Sequence, residues 1–225
     1  CYSNVSAEEQ KLGHEIESIV GKENVLYRDR DALNGREIDI YIPSLKIGIE
    51  YDGIYWHSEK YKDKNYHLEK TEECKKHDIK LIHIVEDEYI HHADIVHSKI
   101  RHIIGLDNSK KIYGRKCSIK EISNKESKLF LDENHIQGFA SSSIYLGAFH
   151  EDKLIGVMSF KRESRNDNKW ELNRFATDIK ICCVGVGGKL FKYFIKKYHP
   201  TMIKSFADRR WTVNEDNNLY TQIGF

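Results

Sequence analysis

No apolar run in this chain of 225 residues approaches the roughly 20 needed to span a bilayer, and no signal peptide stands at its start. Membrane-spanning and secretory classes are set aside on that reading, and no membrane partner is expected. Cysteines are few and odd in number, at positions 1, 74, 117, 182 and 183. They are not spaced as a disulfide framework, which favours reduced thiols in a cytoplasmic setting. Histidines are plentiful, yet there is no His-Glu-x-x-His and no closed Cys/His quartet; Cys74 and His77 are merely an i, i+3 pair. Internal repeats and low-complexity tracts are missing. So is any helix-turn-helix or zinc finger from which base contacts could be read. The chain starts at Cys1 without a methionine and stops at Gly224-Phe225, the form expected of a fragment of a longer protein.

What is present is charge. Charged residues make up 32% of the chain and hydrophobic ones 40%, as in a folded globular protein rather than a disordered one. The net charge of +1 conceals two unlike halves. Residues 1–112 hold 17 Lys and Arg against 22 Asp and Glu, a balance of −5; the remainder holds 19 against 13, a balance of +6. Clustered carboxylates suit metal binding and a basic surface suits a polyanion, although two ordinary surfaces can differ this much by chance.

Periodicity predicts an α/β chain of two domains, 1–108 and 109–225. Ser6-Ala7-Glu8-Glu9 has the form of a capping box, opening a helix that stops at Gly21 with Leu12, Ile16, Ile19 and Val20 as its apolar stripe. A short strand at 25–27, a hairpin within 36–52, a helix over 62–77, a buried strand over 80–85 and a helix over 86–104 follow. That order completes a mixed-sheet domain. Polar residues 107–111 mark the linker. Beyond it the pattern predicts a mainly helical stretch at 118–134 and a hairpin over 145–160 turning at Glu151-Asp152. A strand at 170–176, a helix at 188–198 and a strand at 203–207 complete the chain.

Residues 36–57, REIDIYIPSLKIGIEYDGIYWH, organise the first domain. Two alternating runs meet at the turn-forming pair Pro43-Ser44. Ile38, Ile40 and Ile42 share a face with Leu45, Ile47, Ile49 and Tyr51, whereas Asp39, Glu50 and Asp52 fall on the other. Counted from a tight turn, Asp39 faces Gly48, and Glu50 lies diagonally about 7–8 Å away. Carboxylates converging across that gap could share one hard cation, at roughly 2.1 Å per oxygen.

Asp39, Glu50 and the run Gly53-Ile54-Tyr55-Trp56-His57 resemble the PD-(D/E)xK nuclease superfamily, in its very-short-patch-repair-like branch, to which phage and intron homing endonucleases also belong. The resemblance covers roughly residues 8–90. It implies a restriction-endonuclease-like core with a Glu on the first helix, here Glu15 or Glu8. It further implies a metal-dependent endodeoxyribonuclease in which Asp39 and Glu50, with Asp52 beside them, hold Mg²⁺ or Mn²⁺. His57 would position or deprotonate water, and His67 and Lys70, one turn apart, would contact the scissile phosphate. Double-stranded DNA is then the partner and the cytoplasm of a phage-infected bacterium the setting. Cutting both strands needs two active sites or sequential cuts, so a homodimer is one arrangement the reading allows. Two positions depart from the pattern. The superfamily's Glu-x-Lys reads Glu50-Tyr51-Asp52 here, which moves weight onto His57 and Lys70, and His67 stands about where the repair enzymes have Asp.

Residues 113–225 resemble, over fewer features, the N-acetyltransferase (GNAT) fold. Those features are the hairpin at 146–160, the turn Gly185-Val186-Gly187-Gly188 opening a helix, and the closing stretch 218–225. The resemblance implies an α+β acetyltransferase-like domain. In it Gly185, Gly187 and Gly188 would offer backbone N–H groups to a cofactor pyrophosphate, and Tyr220 would stand at the general-acid position. Cys182 replaces the Arg or Gln that usually begins the turn motif, and the chain stops before the fold's last strand, so a truncated domain is expected and acetyl-CoA is not expected as its cofactor. Lys161, Arg162, Arg165, Arg209 and Arg210, the last two beside Trp211, could instead grip phosphates. A solvated charged loop with a packed Trp is the plainer reading of the same residues. The leading expectation is an endonuclease whose second domain assists DNA binding. The alternatives are acetyl-type modification of a nucleobase or amine by the second domain, and a non-catalytic DNA-binding protein.

Overall fold

The computed structural model describes residues 6–53, 66–106, 109–163, 167–211 and 218–225. Within them the chain forms six α-helices and eleven strands in three sheets, a mixed α/β architecture. Its internal contacts divide it into two compact units, Cys1–Val96 with Ile104–Leu106, and His97–Ile103 with Asp107–Phe225. Among the described residues no helix is long and apolar enough to cross a membrane.

In the first unit, helix α1 (Ala7–Val20) begins where the Glu9 N–H donates to Ser6 Oγ at 3.0 Å, and it stops at Gly21, whose φ of +90° suits a residue without a side chain. Strands β1 (Leu26–Asp29), β2 (Ile38–Ile42), β3 (Ile47–Asp52) and β4 (Lys80–Val85) form one sheet in chain order. The first three run antiparallel, and β4 lies parallel to β3. Parallel neighbours need a crossover, and helix α2 (Tyr66–Lys76) lies within it. Helix α3 (Glu86–Ile104) follows β4 and is kinked at His92. Ile38, Ile40, Ile42, Ile49, Ile82 and Ile84 are buried in and around this sheet, each contributing roughly 1.5–3 kcal/mol.

The connection from β2 to β3 is not the tight turn expected at Pro43-Ser44. Pro43–Leu45 form one 3₁₀ turn and Lys46 takes a left-handed conformation, φ 53°. The longer loop moves the register. Ile42 pairs with Ile47, Tyr41 with Gly48 and Ile40 with Ile49, so one step further Asp39 stands opposite Glu50 instead of Gly48. The two faces are also less cleanly divided than alternation predicts. Ile38 joins Leu33, Cys74, Ile79 and Leu81 in one buried cluster, and Tyr41, from the other face of β2, packs against the same cluster.

In the second unit β5 (Lys111–Tyr113) pairs in parallel with β10 (Cys182–Val184). The larger sheet is an antiparallel meander of β6 (Ser118–Glu121), β7 (Ile144–His150), β8 (Lys153–Arg162) and β9 (Lys169–Thr177), with β11 (Met202–Ser205) added in parallel beside β9. Glu151 and Asp152 both have positive φ, as a two-residue hairpin matched to strand twist requires. The helical stretch expected at 118–134 begins as strand β6, and helix α4 (Asn124–Asn134) starts only after the Ser123 capping box. Helix α5 (Val186–Tyr198) buries Phe194 in the core, stacked on Phe160 with ring centres 3.5 Å apart and edge-on to Trp170 at 5.2 Å. A short helix α6 (Leu219–Ile223) closes the unit.

Candidate functional site

Helix α2 carries His67, Lys70, Thr71 and Cys74 at i, i+3, i+4 and i+7, one face by helical geometry. That face meets the sheet where Glu50 and Asp52 on β3 stand beside β4, on which His83 pairs with Glu50. Arg36, just ahead of β2, holds the helix in place. Its Nη1 bonds Glu73 Oε2 at 2.7 Å, and its guanidinium lies 4.8 Å from the Tyr66 ring centre.

Asp39 and Glu50 are laced together through the backbone. The Tyr51 N–H donates to Asp39 Oδ2 at 3.0 Å, and the Asp39 N–H donates to Glu50 Oε1 at 3.2 Å. Lys70 Nζ donates to Glu50 Oε2, and both of these side chains are buried. Burial raises the pKa of Asp39; the neighbouring Asp52 adds to the rise, while the Tyr51 N–H and Lys70 oppose it. Burial and the charge of Asp39 push Glu50 up to about 7 against the pull of Lys70. Glu9 near the start of α1 belongs to the same field: burial raises its pKa, and the charge of Asp39 raises it further. Two facing carboxylates with one ammonium leave a desolvated surplus of negative charge. The oxygen-only donor set fits a hard divalent cation, which would relieve the repulsion.

Asp52 stands in a separate cluster. Its Oδ2 lies 2.9 Å from His83 Nδ1 and its Oδ1 3.5 Å from His67 Nδ1. Thr71 Oγ1 donates to the His67 carbonyl at 2.7 Å and sits 3.0 Å from His83 Nε2. The expectation of Asp52 as a third ligand beside Asp39 and Glu50 therefore meets a different set of neighbours. His83, Thr71 and Glu9 were not singled out in the sequence. The visible signal for His83 is a polar residue in the otherwise apolar run 81–85, and for Thr71 its place one turn after His67.

Glu15 accepts a hydrogen bond from the Tyr89 hydroxyl at 2.9 Å, and the Tyr89 ring meets Tyr51 edge-on at 5.9 Å. Glu15 thus stands beside Tyr89, and the first-helix residue whose ionisation Asp39 shifts is Glu9. His57 and the rest of the 54–57 run lie outside the described residues.

In the second unit Gly185 precedes α5 with φ 71°. A Cβ on Gly187 would come within 2.7 Å of Leu219 and 3.0 Å of the Phe175 ring, and one on Gly188 within 3.9 Å of Ile223. Gly187 is thus packed against α6 and β9, whereas Gly185 faces open space. Burial raises the pKa of the Tyr220 hydroxyl, and its hydrogen bond with Ser205 opposes the rise. Lys161 and Arg162 are exposed at the end of β8, with Arg162 5.4 Å over the Trp170 ring. Arg210 is held by Asp208, Nη2 to Oδ2 at 2.6 Å and Nε to Oδ1 at 3.0 Å. Arg165 and the Arg209 side chain lie outside the described residues. No family model matches this chain, and no curated protein matches it either.

Proposed function

We propose that the first unit is a metal-dependent endodeoxyribonuclease of the PD-(D/E)xK kind. The observation that carries this reading is the buried constellation of Asp39 opposite Glu50, with Lys70 bonded to Glu50. The lysine that β3 lacks two positions after Glu50 arrives from α2, so the two acids and the ammonium are assembled from three elements. The order of α1, three antiparallel strands, α2 and a parallel fourth strand places β2, β3 and α2 where these groups meet.

Asp39 and Glu50 would hold Mg²⁺ or Mn²⁺, which when bound supplies a Lewis acid for a phosphate oxygen and lowers the pKa of a coordinated water. Lys70 neutralises part of the carboxylate charge and fixes the Glu50 rotamer. His67, one-third exposed at the start of α2, stands at the edge of the site where a phosphate would approach. We read the second unit as acetyltransferase-like in topology, an antiparallel meander followed by a helix and a parallel strand. Its role in this reading is to hold DNA. The packing around Gly187 and the basic surplus of residues 113–225 support that role over cofactor binding.

The test is incubation with supercoiled plasmid and Mg²⁺ or Mn²⁺, with a chelator control, for the wild type and Asp39→Ala. Wild-type nicking that the chelator stops and that falls by about 10³-fold or more in Asp39→Ala is expected. Equal nicking by both proteins, or by neither, would refute the reading.

A further inference from the structure

The polar cluster beside the carboxylate pair has a geometry of its own. Asp52 on β3, His67 on α2 and His83 on β4 present one carboxylate oxygen and two imidazole nitrogens, all within 4.8 Å of one another. The side chains of Asp52 and His83 are nearly buried, 11% and 10% exposed, and that of His67 is 33% exposed.

The hydrogen bonds around His83 fix what its other nitrogen faces. Thr71 has a single hydroxyl proton, and it goes to the His67 carbonyl. With its proton on the His67 carbonyl, the Thr71 oxygen accepts from His83 Nε2–H in the tautomer that leaves Nδ1 facing Asp52 Oδ2. In that tautomer the neutral ring's Nδ1 is a lone pair, aimed at a carboxylate oxygen 2.9 Å away. Two lone pairs repel at that distance unless a positive centre joins them. A proton on Nδ1 is one such centre and a metal ion is the other. An imidazole whose far N–H is held by a neighbour has the arrangement usual for a metal ligand. The spacing agrees. Two ligands about 2.1 Å from one ion, at angles of roughly 90–110°, stand roughly 3.0–3.4 Å apart. The gaps from the two imidazoles to the two oxygens of the Asp52 carboxylate, 2.9 Å from His83 to Oδ2 and 3.5 Å from His67 to Oδ1, lie on either side of that range.

We propose that Asp52, His67 and His83 form a site for a divalent transition metal of the Zn²⁺ class, distinct from the Asp39–Glu50 pair. Imidazole nitrogen selects such ions over Mg²⁺, which prefers oxygen alone. Two histidines and one carboxylate leave at least one coordination position open to water or to a phosphate oxygen. Thr71 is the positioning residue, since it orients His83 without touching the ion. The site stands on its own geometry and does not rest on the nuclease reading.

Metal-free protein titrated with Co²⁺ in the absence of DNA, followed by visible d–d absorption, tests it. One equivalent is expected to bind, to be displaced by Zn²⁺ and to survive an excess of Mg²⁺. His83→Ala and Asp52→Ala should abolish the signal, and Asp39→Ala should keep it. Thr71→Val retains all three ligands and should weaken affinity by about 10–100-fold. Circular dichroism checks each fold, and if His83→Ala does not fold, His83→Gln and Thr71→Val carry the same test. No Co²⁺ uptake by the wild type, or uptake lost in Asp39→Ala but kept in His83→Ala, would overturn the proposal. Uptake by a protein that leaves plasmid intact would sink the nuclease reading alone, and cleavage without uptake would sink this site alone.

Discussion

The carboxylate pair of the first unit and the glycine turn of the second are built on opposite principles. Asp39, Glu50 and Lys70 place ionisable groups where burial works against their charges, and an apolar trio would pack there at less cost. Their arrangement asks for a chemical reason. Gly187 asks for none beyond sterics, because Leu219 and Phe175 occupy the space that a side chain there would need, and Gly185 asks for none beyond its positive φ. The difference shows how to weigh two motifs that look equally purposeful: a residue that packing alone explains is weak ground for function, and a buried charge that packing opposes is stronger ground.

The sharpest way to break that contrast is to remove Lys70. Lys70→Ala leaves Glu50 buried without its ammonium and should cost up to about 3–5 kcal/mol in urea unfolding at alkaline pH, where Glu50 is ionised, with Glu50→Gln restoring part of the loss in the double variant. A loss near zero at alkaline pH would mean that Glu50 is not charged in the folded protein even there.

The ionisation of Glu50 gives the next effect. Its folded pKa, about 7, lies above its ordinary value of 4.5. Between those values the folded state holds the proton more tightly than the unfolded chain does. The stabilisation is therefore complete below about pH 4.5 and is lost as pH rises through 7, on the order of 3 kcal/mol for the metal-free protein. Unfolding at about pH 5 and about pH 8 should show that fall for the wild type and a flatter profile for Glu50→Gln. On the glycine side, Gly187→Ala forces a methyl group against Leu219 and Phe175 and should destabilise by roughly 1–3 kcal/mol while DNA cleavage per folded molecule stays unchanged. The smallest effect is expected from acetyl-CoA, which should give no heat of binding in calorimetry; clear binding that Gly187→Ala removes would turn the comparison around.

Much of this was legible along the chain. Ser6 and Gly21 bounded α1, and the alternation of residues 38–42 and 47–52 gave the hairpin. The register was not legible, because nothing in Pro43-Ser44 reveals that Leu45 completes a 3₁₀ turn and Lys46 turns left-handed. Strands β5, β6 and β10 are three or four residues long, too short for a period to show, and α6 has only five residues. Asp39, Glu50 and Lys70 could be named from residue type and a family likeness. Asp52 and His67 were named for other roles, but their grouping with Thr71 and His83 could not be read, since it exists only once α2 lies across β3 and β4. Glu9 was hidden for another reason: at the third position of a capping box it reads as a capping residue, although in the fold it feels the charge of Asp39.

The central claim is that Asp39 and Glu50 act as one device. Single-turnover plasmid cleavage by Asp39→Ala, Glu50→Gln and the double variant, at saturating Mg²⁺ or Mn²⁺, tests it most directly. Groups that work as a unit are non-additive, so the double variant should be about as slow as either single one. Rate losses that multiply, or an Asp39→Ala protein that cuts at the wild-type rate, would contradict the account.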